Sequence, residues 1–454
     1  MLPLQDFSPA FLLFSFIGAL AVAILIKRPG AGLLLLLALT PVESVLSLTF
    51  SHSKAAKLIL TGLTAGAYFL AYAGMPTRPF RYPYLWSQIL FCVSGALATV
   101  GSIGPADSAL GLLQLLVVFS LCYLIARSPL TEKASIQMLR LLVLAAAVIA
   151  PLAILQTFFG FDGFLGSVEQ QADAADGLYD LANGLHRSAA TFNGANSAAA
   201  FFGTCCVIAI LHAAVFPATR LIYAGLAALI GSALVSTFSR GAFLGAAISI
   251  SLLLPVRRPI FKWIAIAVFL TVTAGTLILF PPDALKVLAR PGQGTLSRLV
   301  AWQESAVILR DHWVAGVGIY GFKPYVESIS SDPNVLRQPH NGFLKAMVEQ
   351  GFMGGLAYLL FVLAFARTCY VSLREEASGT PRWFILAAVA GVGTAMFIQE
   401  LFDAGFVAGG SSLAVMLSVL IGVQCRLLRP PAPARAQRAA PVLSLASRAR
   451  MARV

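Results

Sequence analysis

Residues Pro281–Gly351 read PPDALKVLARPGQGTLSRLVAWQESAVILRDHWVAGVGIYGFKPYVESISSDPNVLRQPHNGFLKAMVEQG. The stretch contains no apolar run of membrane length, yet the runs on either side, near 260–280 and 352–372, can each cross a bilayer. A polar stretch bounded in this way is an extramembrane loop of a membrane protein. Within it a largely apolar chain gathers Arg298, Trp302, Trp313, a glycine turn (Gly316, Gly318, Gly321) and His340. The spans are expected to hold this loop at one membrane face, over two further arginines.

The composition agrees. Of 454 residues, 58% are hydrophobic and 11% charged, with a mean hydropathy of +0.84. Soluble domains carry about 25% charged residues. Barrel strands would alternate apolar and polar over about ten residues, whereas this chain shows unbroken runs near a helical span of roughly twenty. Such runs fall near 10–26, 31–50, 56–74, 86–101, 109–126, 139–159, 195–215, 219–237, 241–255, 260–280, 352–372, 383–402 and 408–426. The expected fold is an all-α polytopic membrane protein of about 12–13 transmembrane helices, with one large loop containing short helices.

Charge gives the sidedness. The net charge is +13, and from Arg426 onward the chain has seven arginines and no acid. Basic residues beside apolar spans mark the cytoplasmic side, so this charge is a topology signal and not a nucleic-acid footprint. Alternate loops are basic, while the loop at 160–194 carries Asp162, Glu169, Asp173, Asp176 and Asp180. Residues 160–194 and 281–351 are therefore expected outside. The domain reading follows: 1–280 is a membrane-helix bundle with the smaller outer loop 160–194, 281–351 the large outer loop, 352–426 the last spans, and 427–454 a basic, disordered cytoplasmic tail. The N-terminus lacks a basic n-region and reads as a retained span. All six cysteines lie in or at the ends of apolar runs, which argues against a disulfide framework, and no Cys/His spacing suits a metal.

Three outer places hold cations where a membrane prefers none. Arg187, in HRSAATFNGANSAAAFF, precedes a span that Asn193 or Asn196 can cap; an interfacial arginine snorkelling to headgroups would look the same. Arg240, in VSTFSRGAFLGAA, sits between two spans with almost no polar loop and no acid close in sequence. A guanidinium there costs about 2.5–3.5 kcal/mol at mid-membrane unless it meets an anion or a wet cavity. His340, in RQPHNGFLKAMVEQG, follows a proline and precedes Asn341, a capping residue, then apolar residues at helical spacing. A neutral imidazole at a helix N-terminus can accept a proton from a hydroxyl, although loop histidines are commonly plain surface residues. Arg298 and Trp302 lie one turn apart on a helix expected to rest on the membrane, with Trp302 and Trp313 as interfacial anchors; Arg298 and Asn341 are accessory candidates.

In this order and sidedness, RSAATFNGANSAAAFF, STFSRGAFLG, SRLVAWQESAVILRDHWVAGVGIYGF and HNGFLKAMVEQGFMGGLAYLL resemble the O-antigen ligase and O-antigen polymerase superfamily of bacterial inner-membrane glycan transferases. The resemblance covers roughly residues 185–370. It implies metal-independent, cofactor-free transfer of a glycan from undecaprenyl pyrophosphate to an acceptor hydroxyl at the periplasmic face of the inner membrane. By the same resemblance Arg187 and Arg240 bind the donor pyrophosphate and His340 is the catalytic base. Fixed guanidiniums stabilise a departing pyrophosphate bidentately, and a base on the opposite face of the sugar inverts the anomeric centre. Lipid A–core is the favoured acceptor; a second lipid-linked repeat or a protein hydroxyl needs the same donor end. A transporter of the lipid-linked glycan would use the same arginines without a base, but the polar residues cluster on one face and broken repeats are missing.

Overall fold

The computed structural model describes residues 29–42, 53–72, 81–160, 186–192, 194–253, 293–329, 338–403 and 411–428. The expected runs near 10–26 and 260–280, the acids of the 160–194 loop and the basic tail lie outside the described residues. Thirteen α-helices are described: α1 (Pro29–Leu39), α2 (Ser53–Tyr72), α3 (Leu85–Val100), α4 (Pro105–Arg127), α5 (Glu132–Phe159), α6 (Ala195–Val215), α7 (Arg220–Ser236), α8 (Arg240–Leu253), α9 (Gln293–His312), α10 (Phe322–Ile329), α11 (Gly342–Glu375), α12 (Pro381–Glu400) and α13 (Ser412–Leu427). Short 3-10 turns at Thr40–Val42 and Pro217–Thr219 complete the regular structure.

The chain is an all-α polytopic membrane protein. Six helices, α4, α5, α6, the turn-extended α7, α11 and α12, are long and apolar enough to cross a membrane. Five shorter apolar helices fall on α1, α2, α3, α8 and α13. Together these eleven occupy every expected run that the structure describes.

Burial separates centre from rim. The apolar window of α6 is 78% buried and that of α12 72%, whereas α5, α7 and α11 are buried by 39%, 33% and 33%. The sequence of α6, ANSAAAFFGTCCVIAILHAAV, explains its place, because small residues let neighbouring helices approach closely on every side. It packs on α7, α12, α8 and α5, and α8 packs along α12, where Ser249 Oγ donates to Gly391 O at 3.0 Å. The outer helices turn apolar side chains such as Leu97, Val148 and Leu363 outward, as a lipid-facing surface requires.

The described part of the large loop is not a separate layer. Its last segment enters α11, which continues through the expected span and breaks at Gly351, where φ is +69°. A side chain at that φ would be strained, and its Cβ would collide with the backbone of Val314. The break lets Gly342–Gln350 lie over the bundle while the rest of the helix crosses it. The glycine turn packs beside this break, with Val317 N donating to Val348 O at 3.0 Å and Gly318 N to Glu349 O at 2.9 Å. It is further tied to the bundle by Ile319 N donating to Ser108 Oγ at 3.0 Å, so it closes onto α4 and α11 rather than onto lipid.

Candidate functional site

At one end of the bundle three turns converge, from segments far apart in sequence. The first is the strap 186–192. His186 N donates to Thr157 O and Ser188 N to Ser236 O, both at 3.0 Å, which joins the strap to the ends of α5 and α7. Gln156, fully buried, doubles this: its Nε2 donates to Ala190 O at 3.1 Å and its Oε1 accepts from Ser188 Oγ at 3.0 Å. Arg187 leaves the strap sideways, Nε donating to Thr237 O at 3.2 Å and Nη2 to Asn196 Oδ1 at 3.3 Å. The expected helix cap is thereby corrected. Gly194 occupies the N-cap without a side-chain bond, and Asn196 is a first-turn residue that receives Arg187. Asn193 lies outside the described residues.

The second turn, Thr237–Ser239, separates α7 from α8. Thr237 Oγ1 donates back to Leu234 O at 2.6 Å and accepts from Ser239 N at 3.3 Å, so this hydroxyl closes the turn. Arg240 follows as the first residue of α8 and is exposed.

The third turn precedes α11. Asn341 is its N-cap, with Oδ1 accepting from Leu344 N at 2.9 Å, as the sequence led us to expect. Its Nδ2 donates to Leu401 O at 3.2 Å, at the end of α12. Trp302 was expected to anchor α9 in the interface. It is 38% exposed, and its Nε1 donates to Pro339 O at 2.9 Å, so the indole also holds the histidine turn in place.

Backbone strain marks the same places. Among the described residues four non-glycines have positive φ: Ala190 (48°), Phe238 (52°), Tyr320 (64°) and His340 (50°). Three of them sit in the three turns just described and the fourth in the glycine turn. Each such conformation costs about 1–3 kcal/mol and persists only where the surroundings over-determine it. Here those surroundings are the strap bonds, the Thr237 hydroxyl and the Trp302 and Asn341 contacts.

His340 Nδ1 lies 3.3 Å from Asp403 Oδ1, with side chains 20% and 13% exposed. Asp403 stands three residues beyond the end of α12, and sequence reasoning missed it. Its only sequence signal is an acid at the outer end of a span, which several other residues share. A carboxylate at Nδ1 favours the proton on that nitrogen, which puts the lone pair on Nε2. Arg298, half-buried on α9, belongs to the same cluster. Burial lowers its pKa most, the Asp403 carboxylate opposes this, and the Arg240 guanidinium adds to the lowering. A guanidinium stays charged through any such shift at neutral pH. Arg298 thus stands in the joint field of Arg240 and Asp403.

The geometry therefore gathers Arg240, Arg298, Asp403 and His340, and links Arg187 to the turn that carries Arg240. Chemically it offers cations for an anion and an imidazole oriented by a carboxylate, at one end of an all-α membrane bundle. Residues 225–359 match a family model described as O-antigen ligase. The match spans less than a third of the chain and supports the resemblance to the O-antigen ligase superfamily over that segment. The matched residues include Arg240, Arg298, His340 and Asn341, while Arg187 and Asp403 fall outside them. No curated protein matches the chain.

Proposed function

We propose that the protein is a glycosyltransferase of O-antigen-ligase type, moving a glycan from undecaprenyl pyrophosphate to an acceptor hydroxyl at the periplasmic face of the bacterial inner membrane, with lipid A–core as acceptor. The observation that carries this reading is the contact of His340 Nδ1 with Asp403 within the field that Arg240 and Arg298 share. In this reading the two outer loops, 160–194 and 281–351, build the periplasmic site over a bundle formed by 1–280 and 352–426, with the basic tail in the cytoplasm.

The arginines bind the donor pyrophosphate, Arg240 and Arg298 directly, while Arg187 braces the Arg240 turn through Thr237 O. The acceptor hydroxyl donates its proton to His340 Nε2 as its oxygen attacks the anomeric carbon. The bond from that carbon to the pyrophosphate oxygen breaks, and undecaprenyl pyrophosphate leaves with its added charge held by the guanidiniums. Asp403 stabilises the imidazolium that forms, as a buried carboxylate does for any histidine base. Attack opposite the leaving group inverts the configuration.

The test is reconstitution of the purified protein with a labelled lipid-linked glycan, with and without lipid A–core. A shift of the lipid A–core band supports the ligase reading. A ladder formed from donor alone would replace it with a polymerase, and no new bond with either substrate set would remove both.

A further inference from the structure

We infer that Arg140, held on His212, forms a binding site for the phosphate of an anionic membrane lipid at the end of the bundle opposite the transfer site. Arg140 lies on α5 and donates from Nε to His212 Nε2 on α6 at 3.1 Å. His212 is fully buried. Its ring stacks on Tyr223, centroids 3.6 Å apart and planes 18° apart, with Phe216 at 4.5 Å and Phe384 edge-on at 5.4 Å. A ring packed on three sides cannot turn, and by accepting at Nε2 it is neutral. The positive charge therefore belongs to Arg140 alone.

That charge has no carboxylate within ion-pair distance among the described residues, and both Nη groups are left without a hydrogen bond to them. The Phe216 ring lies 5.7 Å from Cζ, and Tyr223, stacked on His212, stands in the field of the same charge. The guanidinium is half-buried, so it is oriented by its Nε bond and still reachable from outside. A fork fixed in this way presents two parallel donors, the geometry that suits a phosphate.

Depth identifies the source of the phosphate. Glu132–Phe159 is about 42 Å long at 1.5 Å per residue, against a hydrocarbon thickness of about 30 Å. Arg140 lies about 12 Å from the start of this helix, near the level where acyl chains meet headgroups. Thr157, which receives the strap of the transfer site, is about 25 Å further along the same helix. A second cation, Arg220, stands at the same end, its Nε donating to Ala213 O at 3.2 Å. Basic pockets between helices at the cytoplasmic level are where anionic headgroups bind.

The experiment uses the full-length protein equilibrated with phosphatidylglycerol and phosphatidylcholine and reads retained lipid by native mass spectrometry. The wild type is expected to prefer phosphatidylglycerol about fivefold at this site. Arg140→Gln should remove that preference, His212→Phe should reduce it while keeping the stacked ring, and Lys133→Gln, an exposed cation at the same end, should leave it unchanged. Equal preference in wild type and Arg140→Gln overturns the proposal. Displacement of the lipid by millimolar inorganic phosphate would overturn the lipid assignment in favour of a soluble anion. Should Arg140→Gln fail to insert, Arg140→Lys keeps the charge without the fork, and an undiminished preference there also counts against the site.

Discussion

For single residues the chemistry turns on which groups hold the imidazole. Asp403 lies 3.3 Å from His340 Nδ1, and in the proposed mechanism its carboxylate selects the Nε2 lone pair and steadies the proton once taken. Asp403→Asn keeps a polar partner but loses the charge, so kcat should fall by about 10²–10⁴-fold, the usual worth of general base catalysis, while donor affinity changes little. A loss confined to KM would mean that Asp403 serves binding and not the base. The sequence made Arg240 and His340 visible because a guanidinium between two spans and a histidine before a helix need a reason to be there. Asp403 stayed hidden because an acid at the end of a span needs none. Its meeting with His340 is a tertiary fact, made by the close of α12 beside the start of α11.

At the scale of elements the site depends on α9 as a brace. The Trp302 indole reaches across to Pro339 O at 2.9 Å and supports a turn whose histidine has a φ of 50°. Trp302→Phe removes this bond and keeps the ring's bulk, which should cost about 1 kcal/mol and lower transfer several-fold without preventing insertion. Wild-type turnover in that variant would mean the turn is held by Asn341 and Asp403 alone. Hydropathy marked the spans well, since lipid requires runs of that length, and α6 appears with the expected bounds. The Asn341 cap was legible for a local reason, because a cap is written within four residues. The role of Asn196 was not, because Arg187 arrives from outside the helix and takes the oxygen that would have capped it.

At the scale of the molecule the described ends of α5, α7 and α12 and the starts of α6, α8 and α11 gather on one face, and the Arg140 pair lies toward the other. If the basic loops are cytoplasmic, an impermeant maleimide applied from outside should label Gln338→Cys, beside the histidine turn, and spare Ser378→Cys, in the exposed turn between α11 and α12. The native cysteines provide a low background, since five of the six are buried. Labelling of Ser378→Cys and protection of Gln338→Cys would invert the topology and move the site to the cytoplasm. The sequence speaks to sidedness only through a charge bias between loops. The convergence of three turns was not, because each is contributed by a different pair of helices and no periodicity records which pairs pack.

The central claim is that His340 is the base of a transfer reaction whose donor is held by the arginines. The most direct measurement follows single-turnover transfer from a labelled lipid-linked glycan to lipid A–core by the wild type, His340→Ala and Arg240→Ala, with donor binding measured on the same preparations. His340→Ala should insert normally and bind donor as the wild type does, yet lose transfer by at least about 10²-fold. Arg240→Ala should lose both binding and transfer. Transfer by His340→Ala at the wild-type rate would contradict the account and leave the imidazole as one more surface contact of the loop.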